Sequence, residues 1–458
     1  MIHIIKKDEE KYLVYVPEKQ LLFTCSPLTA NILNEYYTVC KSVEDISLDY
    51  SLEKSAIIKI IKTLDSIPNV GSDERNKRNS LEIMVNLAHK CNLRCKYCYA
   101  QGGSYGLEDS LMNEDIAIKC LEFFNQNYKN YNLNFLFFGG EPLLNFKTLK
   151  VMCESYEEIF KNSTNTCHFR IISNGTILNT KIVEFMKKYK IGFTVSIDGP
   201  EFIHDRLRKY ANGKGSYKAI VNNLKMLKKQ YPDCVIFYEA TYTTIHEEYG
   251  YTPTDIKDFF RTELGLSLGS VVPVMKTNNN IVKYAPIKSI PDPTEYLEKG
   301  DLFSSSLFYP LVYFVTKQKS KMVCYTGISH FTIIPNGDIY PCQLFIGENK
   351  LLMGNVKQSH WDEKYINAIN NLSSFNKEKN PECLQCWCKY LCKDCPGAIF
   401  QETGVLKMPN ERCYKKRKDI EALLLKLAEI RENNNKWQKF CQMVERYSQE
   451  INGIALYD

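Results

Sequence analysis

No stretch of this chain approaches the 18 or more apolar residues that a membrane-spanning helix needs. The segment Met1–Glu10 has no long apolar run and no small-residue cleavage site, so no signal peptide is expected. A cytoplasmic protein without a membrane partner follows as the expectation. Charge of one sign is not concentrated: the net charge of +6 is spread over 458 residues. The densest basic run, Lys415–Lys418, opens a helical pattern and reads as a solvated face, so no nucleic acid partner is expected. What the chain does not lack is cysteine, with 18 residues. A chain this long builds its core without staples. Cysteine in a reducing compartment then points to metal or catalysis rather than to disulfides.

Residues 1–70 read as a separate small domain. Ile2–Ile5, Tyr12–Val16 and Leu21–Cys25 are three short strands. Ser26 and Pro27 then open a helix, Val43–Ile46 forms a short second one, and Ser51 caps a third. The polar stretch 71–80 reads as a linker. From 81 onward strands and helices alternate. The strands are Leu81–Leu87, Asn134–Phe138, Phe169–Ser173, Phe193–Ile197, Val235–Thr241 and Leu266–Val274; helices such as Asn113–Asn127 and Thr180–Tyr189 lie between. This order predicts an α/β fold of parallel βαβ units, with the site at the C-terminal ends of the strands. The expected domains are 1–70, an α/β unit over 81–300, a cysteine-rich unit over 301–413 and a helical tail over 414–458.

Just after the first of these strands stand Cys91, Cys95 and Cys98, in the order Cys-Asn-Leu-Arg-Cys-Lys-Tyr-Cys. Three thiolates this close suit three corners of a cubane cluster that normally takes four, leaving one iron for a chelating molecule. No fourth cysteine adjoins them, which disfavours the runner-up, a zinc knot of paired C-x-x-C units. The C-x-x-x-C-x-x-C run, with Tyr97 before its third cysteine, resembles the signature of radical S-adenosylmethionine (SAM) enzymes. The resemblance implies that SAM chelates the open iron and is split to a 5′-deoxyadenosyl radical that abstracts hydrogen from a substrate. Beginning 41 residues after Cys98, the segment Gly139, Gly140, Glu141 and Pro142 resembles the family's GGEP, which implies contact with the SAM amino group. Ser173 and Asn174, then Ser196 and Asp198, resemble its strand-end residues around the ribose and carboxylate. Arg208 is the candidate partner of the SAM carboxylate, because a guanidinium pairs with carboxylate through two hydrogen bonds. As plain turns, Asn-Gly and Asp-Gly need no such role.

A second constellation holds Cys324, Gly337 and Cys342, then Cys383, Cys386, Cys392, Cys395 and finally Cys413. Twelve residues separate Cys324 from Gly337, and four separate Gly337 from Cys342. It resembles the SPASM domain, which carries auxiliary [4Fe–4S] clusters; two zinc sites are the alternative. The resemblance implies that Cys383, Cys386, Cys392 and Cys413 hold one cluster, and Cys324, Cys342 and Cys395 the other. The fourth position of that other cluster falls to Cys388 or stays open for a substrate thiolate. Two residues rather than the family's frequent three separate Cys392 from Cys395, which leaves the assignment of Cys388, Cys392 and Cys395 open.

The fold expected is a partial (βα)6 TIM-like radical SAM barrel. A winged-helix-like domain precedes it and a SPASM domain follows. Three strands followed by three helices resemble a RiPP recognition element, which implies binding of a precursor peptide's leader. The whole resembles radical SAM/SPASM maturases that install thioether crosslinks, the sactipeptide and ranthipeptide enzymes. That implies three [4Fe–4S] clusters, SAM and an electron donor such as ferredoxin or flavodoxin. Sulfatase-type formylglycine maturation, carbon–carbon crosslinking and decarboxylation use the same parts. A non-enzymatic iron–sulfur protein would leave the GGEP segment and the Ser/Asp/Arg set without a task.

Overall fold

A computed structural model describes residues 1–71, 79–275 and 307–453. Most of the expected linker, the end of the expected barrel domain at 276–300, and residues 301–306 lie outside the described residues. No described helix is long and apolar enough to cross a membrane.

The N-terminal unit is an antiparallel meander, β1 (His3–Lys6), β2 (Tyr12–Val16) and β3 (Leu21–Cys25), followed by helices Pro27–Tyr37, Val43–Tyr50 and Lys54–Asp65. Successive strand side chains point to opposite faces. Here both faces are buried. Ile2, Val14 and Val16 pack on Leu33 and Leu64 of the unit's own helices. Ile5, Leu13, Tyr15 and Leu22 pack instead on Phe314, Leu391, Leu423 and Leu427 from the C-terminal part of the chain. A fully buried side chain of this size contributes about 1.5–3 kcal/mol, so the unit is docked rather than tethered. Ser26 caps the first helix through Thr29 N–H. Ser51 does not cap the third, contrary to the sequence expectation. It ends the second helix in a left-handed conformation, φ 51°, and the third starts after Glu53.

Among the described residues the second sheet has nine strands. Six parallel strands form its centre: β4 (Ser80–Ala88), β5 (Asn132–Gly139), β6 (Thr166–Ser173), β7 (Gly192–Ser196), β8 (Ile236–Tyr242) and β9 (Leu268–Pro273). Each spans or overlaps a strand expected from the sequence. Beyond β4 the sheet continues with β10 (His330–Ile333), parallel to β4, then β11 (Asp338–Tyr340) and β12 (Gly354–Asn355), both antiparallel. This C-terminal hairpin welds the cysteine-rich unit to the barrel's first strand, with His330 opposite Glu82 and Thr332 opposite Met84. Along β4, Ile83, Val85 and Leu87 face the helices and are fully buried. The alternate residue Met84 faces inward. Residues from every strand of the six, from Met84 on β4 to Val272 on β9, line one cavity, so the sheet is curved around it. Helix Glu114–Asn127, capped by Asn113, and helix Thr180–Lys188, capped by Asn179, cover its outer side.

Candidate functional site

The cavity has a volume of about 330 Å³ and opens at the C-terminal strand ends. Cys91, Cys95 and Cys98, on the loop after β4, stand in its wall with Tyr97. Backbone N–H groups meet two of the sulfurs: Leu93 N donates to Cys91 Sγ at 3.4 Å and Gly102 N to Cys98 Sγ at 3.4 Å. Asn174 Nδ2 approaches Cys91 Sγ at 3.8 Å. Burial pushes the Cys95 thiol up to about 12, against the pull of Arg208. An iron ligand is deprotonated outright by its metal, and these N–H donors are already aimed at the sulfurs that would carry the charge.

Glycine allows the loop and the strand end to touch. A Cβ on Gly140 would stand 2.3 Å from Lys90 O and 2.9 Å from Gly103 Cα. Gly139 has φ +127°, and its Cβ would stand 2.4 Å from Ala88 O. Gly139 and Gly140 thereby present bare backbone to the cavity.

Not every expected residue is on the wall. Ser173, Asn174, Ser196 and Arg208 line the cavity; Glu141, Pro142 and Asp198 do not. Glu141 is fully buried behind it. Its Oε1 accepts from Leu143 N at 3.0 Å and Ser173 Oγ at 2.9 Å, and its Oε2 accepts from Asn174 N at 2.8 Å. Those bonds tie the end of β5 to the end of β6. Burial nonetheless pushes its carboxyl up to about 7. Asp198 accepts from Tyr97 Oη at 2.6 Å and from Thr241 N at 3.0 Å. Arg208 Nη1 donates to the same Tyr97 Oη at 2.7 Å, while its buried Nε has no partner. Glu141 and Asp198 therefore position the wall, and Arg208 keeps an unsatisfied donor. His204 is structural: Asp198 N donates to its Nδ1, Ser216 Oγ meets its Nε2, and burial lowers it to about 4. Other lining residues were not anticipated, among them Tyr99, Tyr105 and Glu239. Glu239, raised by burial, had one visible signal, a carboxylate in the middle of an apolar strand.

A second cavity of about 120 Å³ is lined by Cys324, Cys342 and Cys395. Met84, Gln343 and Leu344 belong to the walls of both cavities, so the two are neighbours. Cys395 caps helix Pro396–Thr403, accepting from Ala398 N at 3.4 Å. A helix N-terminus favours a thiolate there. Thr332 Oγ1 is buried without a partner, the Thr326 hydroxyl turns to Cys342, and both residues line this cavity.

The remaining four cysteines feel one another's charge: Cys383 neighbours Cys386 and Cys413, and Cys392 neighbours Cys386. Burial raises Cys383 and Cys392 to about 11, while Lys377 acts on both and Lys416 on Cys392 in the opposite sense. Arg417 acts on Cys386 and Cys413. The basic run is thus not simply a solvated face. Lys415 and Lys418 are exposed, but Lys416 and Arg417 turn toward the cysteines, because helix Asn410–Arg431 carries Cys413 one turn earlier. Cys388 does not join the second cavity. Its sulfur is 3.5 Å from Cys386 Sγ and its side chain is buried in the core that docks the N-terminal unit. Of the two options read from the sequence for the fourth position of the Cys324 set, Cys388 or an open site, the structure does not bring Cys388 to that cavity. Among the described residues no three His, Cys, Asp or Glu close on one point as a single ion requires.

Residues 85–248 match the family model of the radical SAM superfamily, and residues 324–387 match SPASM, an iron–sulfur cluster-binding domain. The radical SAM cyclopropyl synthase TigE of Paramaledivibacter caminithermalis is 24% identical over 441 residues, 89% of this chain and 88% of its own length. The cysteine-type anaerobic sulfatase-maturating enzyme of Clostridium novyi is 25% identical over 346 residues, 69% of this chain and 87% of its own. Among solved structures, native anSMEcpe with bound AdoMet aligns with TM-score 0.58 and 18% identity, over 76% of this chain and 99% of that one. Streptococcus suis SuiB bound to S-adenosylmethionine aligns with TM-score 0.50 and 16% identity, over 90% and 98%.

Proposed function

We propose that this chain, a radical SAM enzyme carrying a SPASM iron–sulfur domain, is a maturase that installs thioether crosslinks in a ribosomally made precursor peptide. Cys91, Cys95 and Cys98 hold one [4Fe–4S] cluster. Cys383, Cys386, Cys392 and Cys413 hold a second, and Cys324, Cys342 and Cys395 a third. The domains fall at 1–70, 81–300, 301–413 and 414–458. When bound, the first cluster and SAM supply the electron and the adenosyl radical that removes hydrogen.

The chain's own groups bind and orient. Arg208 Nε, buried without a partner, is the donor offered to the SAM carboxylate. Tyr97 and Asp198 hold its guanidinium in place. Gly139 and Gly140 let the SAM amino group lie against backbone. A hydrogen atom leaves a carbon of the peptide, the peptide's cysteine sulfur closes on that carbon with loss of its proton, and one electron departs. Glu239 faces the cavity and is poised to accept that proton.

The N-terminal unit binds the leader by strand addition at β3. Arg431 donates to Leu22 O, which marks the side of β3 turned away from β2. Alternation puts Thr24 on that same side. A docked leader raises the effective concentration of the core peptide at the cavity mouth. Ferredoxin or flavodoxin is the expected reductant.

One observation carries the reading: a cavity with three thiols and an unsatisfied Arg208 shares a wall with a second cavity holding three more thiols. Two redox centres beside one substrate space suit oxidation of a peptide carbon, with an exit for the electron. The test is anaerobic incubation with SAM, dithionite and the precursor peptide encoded beside the gene, read by mass spectrometry. Loss of two hydrogens together with loss of one alkylatable thiol is expected. Loss of two hydrogens with the thiol intact would turn the reading toward carbon–carbon bond formation, the chemistry in TigE's name. Conversion of a sulfatase peptide instead would give the formylglycine alternative.

A further inference from the structure

We propose that His330 is the fourth protein ligand of the cluster held by Cys324, Cys342 and Cys395, a proposal that rests on the reading of that site given above. Three thiolates fill three corners of a cubane, and the fourth iron needs a donor. Cys388, the cysteine nearest in sequence to fill that role, is committed to the Cys386 side. His330 lines the same small cavity as the three cysteines. It enters from β10, close to the Cys324 loop: Gly327 N donates to His330 O at 2.9 Å, and Thr326 bridges His330.

The ring is oriented from behind. Ser329 Oγ meets His330 Nδ1 at 3.0 Å, the arrangement in which a ligating histidine uses one nitrogen for a supporting hydrogen bond and the other for the metal. Nε2 is then the nitrogen assigned to iron. Glu82 lies opposite His330 in the ladder and also lines the cavity.

A second, independent observation says that the cavity is built for an electron-rich guest. Thr332 Oγ1 is buried and unpartnered on its wall, 1% exposed, and the Thr326 hydroxyl, 5% exposed, turns to Cys342. Leaving a hydroxyl unpaired in the interior costs about 1–3 kcal/mol. Cluster sulfides accept such donors, and hydrogen bonds to sulfur tune the potential.

Histidine in place of cysteine has an electronic consequence. A neutral imidazole adds no negative charge to the cluster, and His-for-Cys replacement raises the reduction potential in iron–sulfur proteins. The cluster closest to the reaction cavity thereby becomes the better electron acceptor. Its irons are all saturated by protein, so the peptide's sulfur reacts without first binding there.

The experiment uses the full-length, anaerobically reconstituted and reduced protein, grown with 14N- or 15N-histidine and measured by pulsed EPR. One strongly coupled nitrogen on a cluster is expected, changing with the label. It should vanish in His330→Ala and His330→Cys, and persist in Glu82→Gln. His330→Cys should keep the wild-type iron count while one cluster becomes harder to reduce. Adding the cysteine-bearing precursor peptide should leave the coupling in place. The ligand assignment is overturned by full iron without nitrogen coupling, by coupling that survives in His330→Ala, or by coupling that the peptide thiol abolishes. A wild-type count of about eight irons rather than about twelve would remove the cluster itself, and with it the reading of the site beneath the proposal.

Discussion

Replacing Tyr97 by phenylalanine removes one oxygen and unpairs two charged groups. The hydroxyl donates to Asp198 at 2.6 Å and accepts from Arg208 at 2.7 Å, in a place where Asp198 is fully buried and Tyr97 is 8% exposed. A hydrogen bond to a charged group is worth about 1.5–3 kcal/mol net. Two are lost, and the guanidinium recovers part of that loss by dropping directly onto Asp198. A destabilisation of about 3 kcal/mol remains by the same measure. The recovery has its own effect: an Arg208 turned toward Asp198 no longer offers Nε to the cavity. Loss of one charge-assisted contact predicts SAM binding weaker by about tenfold to a hundredfold, at 1.4 kcal/mol per decade. Urea unfolding of the apoprotein and equilibrium dialysis of SAM with the reconstituted protein measure the two effects. Tyr249→Phe is the control, because the same tyrosine–arginine contact there is exposed, with Arg206 Nη1 at 3.1 Å. If the two variants lose the same stability and the same SAM affinity, Tyr97 is not a positioning residue and the argument fails.

Cys95→Ala should abolish 5′-deoxyadenosine formation, whereas Cys386→Ala should lose peptide product and keep some uncoupled SAM cleavage; chromatography of both products decides. Gly140→Ala drives a Cβ to 2.3 Å from Lys90 O, so iron content should fall by about four with far-ultraviolet dichroism retained. Thr24→Pro removes an outward N–H from the edge of β3; calorimetry should find leader affinity reduced by about tenfold or more, as loss of one good backbone bond predicts, with peptide-free SAM cleavage unchanged. Burial lowers the Lys317 ammonium to about 8, with Arg431 adding to the effect. Between about pH 8 and the ordinary lysine value of 10.5 the unfolded chain holds more protons than the folded one, so stability should rise with pH across that window. Lys317→Met should flatten that rise in urea titrations; an unchanged slope would show that the ammonium is not paying a desolvation cost.

The sequence by itself determined the element order and the location of the chemistry. Period-2 apolar runs separated by helical patterns needed no tertiary information, and β4 to β9 emerged nearly where they were read. Cys91, Cys95 and Cys98 were legible because three ligands within eight residues are fixed by local chain geometry. Tertiary structure decided which side chains reach the cavity. Glu141 and Asp198 carry charges that looked like ligands, yet backbone N–H groups from neighbouring strand ends claim their oxygens first. The end of the second helix overrode a good capping residue at Ser51, since the left-handed backbone that ends that helix, φ 51°, is not the extended conformation of an N-cap. Cys388 and His330 differ for the same reason. Sequence distance linked Cys388 to the cysteine group, but its burial against Tyr15 and Leu391 turned it into the core. His330 carries no motif at all; the parallel pairing of β10 with β4, a contact across about 250 residues of chain, brings it to the three thiols. Long-range strand pairing leaves no local trace in composition or period, so only the folded chain could reveal it.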